Sequence, residues 1–307
     1  MSKQARANLV LILCAAIWGC AFVAQRMVVG VLEPFTFNAL RSWVGAAVLL
    51  PTAIVYGRME KKRHPEQPPR SRKTLLLGGL CCGVLLFMAT NLQQFGIEDT
   101  GSGKSAFVTA MYIVLVPVLG LLLRKRVRLF TWLGIVVCVG GLYLLCVKSE
   151  FSIVPADVFL LLCALAFSFQ IMSVDHFAPL TNCVALSCVQ FTTAATLGTV
   201  AMLLTEQPTW PNIVKALPPI LYSGVLSSGV AYTLQIFGQR DSDPTVASLL
   251  MCLESVFAVL AGYLYGESLT VQELIGCGVM MLGIVLSQLP TPRTRAEREM
   301  TAAERAA

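Results

Sequence analysis

Charged residues are scarce in this chain. They make up 13% of its 307 residues, against about 25% in an ordinary soluble domain. No segment reads as a water-soluble domain of useful size. Histidine is scarcer still: His64 and His176 are the only two, each in a short polar stretch. With so few imidazoles and no ligand spacing, no metal centre is expected. No Cys-x-x-Cys occurs among the eleven cysteines, which all lie in apolar runs or at their edges. They read as small, unpaired core residues. No HExxH motif and no serine–histidine pairing is present, so the chain is not read as an enzyme and no cofactor is expected. The Gly-Ser-Gly-Lys at 101–104 lacks P-loop spacing and follows no strand, which argues against an ATP site and a primary pump. A cleavable leader is missing too. Lys3 and Arg6 precede an apolar run, but that run lasts from Leu9 to Val29 and no A-x-A site follows it. It is too long for a signal peptide and is read as a helix of the mature protein.

Hydrophobicity is what the chain has in excess, at 56% apolar residues and a mean hydropathy of +0.73. A helix needs about 20 apolar residues to cross a bilayer. Ten runs qualify: Leu9–Val29, Phe35–Tyr56, Thr74–Ile97, Ser105–Leu123, Leu129–Val147, Val158–Val174, Cys183–Thr205, Ala216–Gly238, Pro244–Tyr265 and Val271–Leu289. They are apolar all round, where the strands of a membrane barrel would alternate every second residue. The expected fold class is therefore all-α integral membrane, with ten transmembrane helices. One connection is long: Gly57–Lys73 carries seven Lys and Arg with Pro65, Pro68 and Pro69, and reads as a solvated, irregular loop. The cytoplasmic tail, 290–307, mixes Arg with Glu and reads as a short surface helix or a disordered segment rather than a domain.

Basic residues favour the cytoplasmic side of a membrane. Ten spans put both termini on one side, and that side receives eighteen Lys and Arg against four on the other. The termini are therefore expected to be cytoplasmic, in the cell (plasma or inner) membrane. The same bias accounts for the net charge of +6 without nucleic acid as a partner; the lipid bilayer is the partner expected.

The chain also repeats itself. A shift of 149 lays Leu11–Gly19 on Leu160–Ser168 and Arg41 on Gln190. A shift of 142 lays Gln93-Gln94-Phe95-Gly96 on Gln235-Ile236-Phe237-Gly238, Gly134 on Gly276 and Gly141 on Gly283. Two five-helix halves, 8–148 and 154–289, are expected. Five is odd, so the second half starts on the opposite side. Inverted repeats of this kind are characteristic of secondary transporters, with the substrate near the midplane between the halves.

Ten spans, a five-plus-five repeat and the segment LESVFAVLAGYLYGE (253–267) resemble EamA-type members of the drug/metabolite transporter superfamily. The likeness extends to Arg41 in Phe-Asn-Ala-Leu-Arg-Ser-Trp, to Leu253-Glu254 and to Gly266-Glu267. It departs at Ser255, where the family often has Pro, and at Lys125, where a Gly-Glu counterpart would stand. The resemblance implies efflux of small metabolites, amino acids or drugs. It also implies that spans 1–4 and 6–9 surround a central cavity while spans 5 and 10 brace it.

Away from the span ends only two residues are charged, Arg41 and Glu254. A charge at the bilayer centre costs roughly 2.5–3.5 kcal/mol on insertion scales, so such residues normally face the bundle interior. Glu254 has Ala258, Gly262 and Gly266 along its face, a small-residue stripe that lets another helix approach. It is read either as a protonatable coupling site or amine contact, or as an acid tying helices together. Arg41, with Asn38 on its face, is read as a fork for a carboxylate or phosphate, or as a residue that snorkels or pairs with Glu254. Two neutral polar bands lie on either side of the midplane. The outer one holds Thr90, Asn91, Gln93 and Gln94; the inner one holds Gln170, Gln190, Tyr232 and Gln235. They would line a path or bond helices together. Trp18 lies mid-span, where it would wall a cavity or pack in the core, and Tyr112 is the repeat partner of Glu254. The expected function is a secondary transporter working by alternating access on a small-molecule substrate, with protons as a candidate coupling ion. A channel or scramblase and an integral-membrane enzyme are the alternatives.

Overall fold

The computed structural model describes residues 3–63, 71–100, 102–124, 127–146, 155–264 and 270–289. Among them there are helices and turns but no strand. The first half contains α1 (Lys3–Val28), α2 (Pro34–Arg63), α3 (Arg72–Thr100), α4 (Ser102–Thr109), α5 (Tyr112–Leu122) and α6 (Leu129–Cys146). The second contains α7 (Ala156–Phe177), α8 (Cys183–Thr205) and the short α9 (Trp210–Lys215) and α10 (Leu217–Leu221). A π-helix over Tyr222–Ala231 follows, then α11 (Tyr232–Arg240), α12 (Pro244–Met251), α13 (Glu254–Leu264) and α14 (Val271–Ser287).

Eight helical segments are long and apolar enough to cross a membrane, and two apolar helices, Leu129–Leu145 and Val271–Ser287, are shorter. The polarity of the molecule is inverted. Leu264 is 85% exposed and Leu204 79%, while Gln170 and Gln190 are fully buried. Lipid replaces water as the outer solvent, so the outside is apolar and the inside carries the polar contacts. The chain is a multi-pass membrane protein.

The structure differs from the sequence reading in three places. The basic stretch after Tyr56 is helical as far as Arg63, and α3 already begins at Arg72. Lys, Arg, Glu and Met are good helix formers, so α2 runs on to the approach of Pro65; residues 64–70 lie outside those described. The fourth and ninth spans are each broken in two. The eighth is part π-helix. Gly266, Glu267, Lys125 and the tail also fall outside the described residues.

Two seams join the halves. In the first, α6 packs along α14. A Cβ on Gly134 would stand 2.6 Å from the Gly283 carbonyl oxygen, and one on Gly276 would stand 2.8 Å from that of Gly141. The 142-residue shift turns one of these contacts into the other. In the second, α2 packs along α8, and a carboxylate serves each end. Glu206 accepts hydrogen bonds from the Phe35 and Thr36 amides (2.8 and 2.6 Å) and caps α2 from the far end of α8. At the other end Asn182 caps α8 through the Ala185 amide and donates to Glu60 on α2 (2.6 Å). Asp243 and Pro244 start α12, and a Thr270–Glu273 capping box starts α14.

Candidate functional site

The breaks in the fourth and ninth spans have the same form. Ala110 N still reaches back four residues to Ala106 O, but Met111 N bonds Val108 O and Ile113 N bonds Ala110 O, three residues back. Cys252, Leu253 and Ser255 repeat that pattern on Ser248, Leu250 and Cys252. The 142-residue shift maps one break onto the other. Each lower helix then restarts on a polar side chain, α5 on Tyr112 and α13 on Glu254. These two meet: the Tyr112 hydroxyl donates to Glu254 Oε1 at 3.0 Å. Helix 1 closes over the restart of α13, since a Cβ on Gly19 would stand 2.7 Å from the Glu254 carbonyl oxygen.

Arg41 sits on α2 where the π-helix packs against it. A Cβ on Gly45 would stand 2.8 Å from Ser228 Cβ, and one on Gly224 would stand 3.0 Å from the Arg41 carbonyl oxygen. The wide π-turn places Ser227 beside the Arg41 side chain in the same cavity; π-turns of this kind recur at functional sites. Arg41 is only 4% exposed, and its guanidinium lies over the Phe37 ring at 5.4 Å. It forms no hydrogen bond or ion pair with a described residue.

These groups line one cavity of about 40 Å³ between the halves. Of the residues singled out from sequence, Trp18, Arg41, Gln93, Tyr112, Tyr232, Gln235 and Glu254 come together there. The Trp18 and Tyr232 rings pack at a tilt of 60° with centres 4.6 Å apart. The others do not line it. Asn38 donates to Asn91 Oδ1 at 3.0 Å. Gln235 donates to Gln170, and Gln170 to Gln190, each at 3.2 Å, so Gln190 is the far end of an amide chain that starts at the cavity. Gln94 is buried with its amide nitrogen unpartnered.

Gln25, Phe167 and Ser227 also line the cavity and were not singled out from sequence, although two of them had a signal. Gln25 lies one helical step from Trp18, Ala21 and Phe22 on a single face. Phe167 is the repeat partner of Trp18. Ser227 had none, because a π-turn shifts the face on which a residue emerges.

The two halves also share a polar contact away from the cavity. Thr233 donates to Ser187 Oγ at 2.9 Å. Ser187 and Thr233 are the repeat partners of Asn38 and Asn91, so an equivalent bond joins the second and third spans of each half.

The site can hold a carboxylate or another anion at Arg41 and a proton or amine at Glu254, between aromatic walls. An all-helical multi-pass fold that encloses a charged cavity between two repeats defines a membrane transporter. The chain belongs to the EamA-like transporter family, whose model matches residues 5–147 and 154–289. It is similar to an uncharacterized transporter of Archaeoglobus fulgidus, 26% identical over 94% of this chain and 87% of that one. It is also similar to the uncharacterized transporter YoaV of Bacillus subtilis, at 23% identity over 91% and 95% of the two chains. A solved crystal structure shares the fold, with a TM-score of 0.74 at 18% identity over 92% of this chain and 98% of the other.

Proposed function

We propose that the protein is a secondary carrier for small zwitterionic metabolites, amino acids foremost, in the cell membrane. The observation that carries this reading is the charge arrangement. Arg41 and Glu254 line one cavity without pairing with each other. A cargo with both a carboxylate and an amine would satisfy both. The Trp18, Phe167 and Tyr232 rings would cover its apolar part.

Alternating access is the mechanism. The supporting features are the equivalent helix breaks at the cavity and the two sets of repeat-equivalent contacts. Broken spans facing each other at a central site are a transporter device. The two shorter helices, α6 and α14, complete a set of ten crossings in two inverted halves, with both termini cytoplasmic. Efflux is the direction, by analogy with the family resemblance. Glu254 is the coupling group: it would release its proton on one side and take one up on the other, with Tyr112 as its hydrogen-bond partner.

The test is counterflow in proteoliposomes with a panel of amino acids and related organic ions. Saturable flux, stimulated by unlabelled substrate inside, is expected. Glu254→Gln should abolish uptake driven by a pH gradient while leaving exchange measurable. Flux that rises linearly with concentration, or lipid scrambling alone, would replace the carrier with a channel or scramblase. A Glu254→Gln protein with unaltered transport and pH dependence would remove proton coupling.

A further inference from the structure

The geometry points to a binding site for a small inorganic anion, chloride foremost, on Arg41, occupied when no carboxylate cargo is present. The inference rests on the carrier reading only in naming the cargo's carboxylate as the competitor.

Arg41 is a buried cation that forms no ion pair with a described residue. A guanidinium offers five N–H donors in its plane, and a cation–π contact occupies its face rather than its edge. The Phe37 ring lies under the guanidinium at 5.4 Å, and no described residue accepts from its N–H donors. Leaving a buried charge uncompensated is among the more destabilising arrangements available to a protein. The one carboxylate lining the cavity, Glu254, accepts from Tyr112 and forms no ion pair with Arg41.

The remaining polar lining favours a negative occupant. Gln25, Gln93, Ser227 and Tyr232 line the cavity with Arg41, and none of their side chains hydrogen bonds to a described residue. Amides and hydroxyls of this kind are donors that a halide accepts from. The volume of about 40 Å³ admits a few water-sized occupants, since one water needs roughly 10–15 Å³ by the same measure. A monatomic anion fits there without rearrangement, whereas an amino acid needs the halves to move apart. The anion would compensate Arg41 in the closed state and leave when the cargo's carboxylate arrives.

The experiment uses the purified full-length protein without cargo. Its thermal unfolding is followed in sodium chloride and in sodium gluconate of equal ionic strength. Binding of radiolabelled chloride is measured by equilibrium dialysis alongside. A saturable rise in Tm with chloride and not with gluconate is expected, together with stoichiometric chloride binding. Arg41→Gln should lose both. Ser227→Ala, which keeps the cation, should need more chloride for the same rise. Glu254→Gln leaves Arg41 as the sole charge in the cavity and should need less. In transport assays chloride should raise the KM for cargo and leave the maximal rate unchanged. Equal Tm in the two salts with no bound chloride would overturn the proposal. So would chloride binding that survives Arg41→Gln. Should Arg41→Gln fail to fold, the dialysis on the native protein and the Ser227→Ala shift decide the matter. Chloride binding in a protein that moves no zwitterion would sink the carrier reading and leave the anion site standing.

Discussion

Gly134, Gly141, Gly276 and Gly283 hold equivalent places in the two halves and meet along one seam. Arg41 and Glu254 have different residues, Gln190 and Tyr112, at the equivalent places. The α6–α14 seam and the cavity thus treat one repeat in opposite ways. The seam needs backbones to touch, and any side chain larger than hydrogen would separate them, so both halves keep glycine. The cavity needs charges of opposite sign in one place, and two identical halves could supply only like charges. At these positions the halves agree where backbones must touch and differ where the charges sit. The third span and its partner differ as well: α3 is a regular helix, while the eighth span widens into a π-helix beside Arg41.

The harshest test of this contrast is Arg41→Gln, which makes the first half match the second at that position. Losing one partner of a buried charge pair costs about 2–5 kcal/mol, so kcat/KM for a carboxylate cargo should fall by about 30-fold or more. Folding, read by thermal melting, should hold. A variant that transports normally would mean that the asymmetry at Arg41 carries no function. Next comes the Tyr112–Glu254 bond. Hydrogen bonds to charged groups contribute about 1.5–3 kcal/mol, so Tyr112→Phe should reduce transport about tenfold or more. The double exchange Tyr112→Glu, Glu254→Tyr should recover part of that loss. It swaps the halves' roles while keeping the pair, and no recovery would mean that the cavity reads the two sides as distinct.

The seam should respond in the opposite sense. Gly141→Leu would drive a side chain into the backbone of α14, where a Cβ alone would stand 2.6 Å from Met280 N. Overpacking typically costs about 1–3 kcal/mol, so a lower melting temperature is expected while the KM of surviving protein is unchanged. A changed KM with intact stability would move function into the brace. Glu206→Ala removes the carboxylate that caps α2 and should cost about 0.5–2 kcal/mol of stability, the range for a lost N-cap.

Much of this was legible before any coordinates. Long apolar runs announced the spans, and two isolated charges announced the cavity, because membrane burial makes charge expensive enough to be informative. The offset of 142 paired Tyr112 with Glu254, which then proved to be a direct hydrogen bond. What stayed hidden depends on backbone rather than composition. Neither break, at Ala110-Met111 or at Cys252-Leu253, holds a glycine or proline, so hydropathy runs straight through both. The π-turn that exposes Ser227 leaves no trace in a pattern assumed to repeat every 3.6 residues. The amide-rich stretch of α3 pointed to the right helix without separating its faces: Gln93 lines the cavity, while Gln94 next to it does not.

The finest test compares two bonds that the repeat makes equivalent, Asn38–Asn91 and Thr233–Ser187. Interhelical hydrogen bonds in membranes contribute about 0.6 kcal/mol on average, so Asn38→Ala and Ser187→Ala should each lower stability by about that much. Alternating access adds a directional expectation. Each bond ties the second and third spans of one half, and the proposed inversion would set the two on opposite sides of the midplane. Loosening one should favour opening on its own side. Asn38→Ala should therefore increase labelling of a cysteine introduced near the outer end of the cavity by an impermeant thiol reagent, and Ser187→Ala should do so at the inner end. If both variants changed labelling on the same side, the two bonds would be equivalent in sequence but not in mechanism.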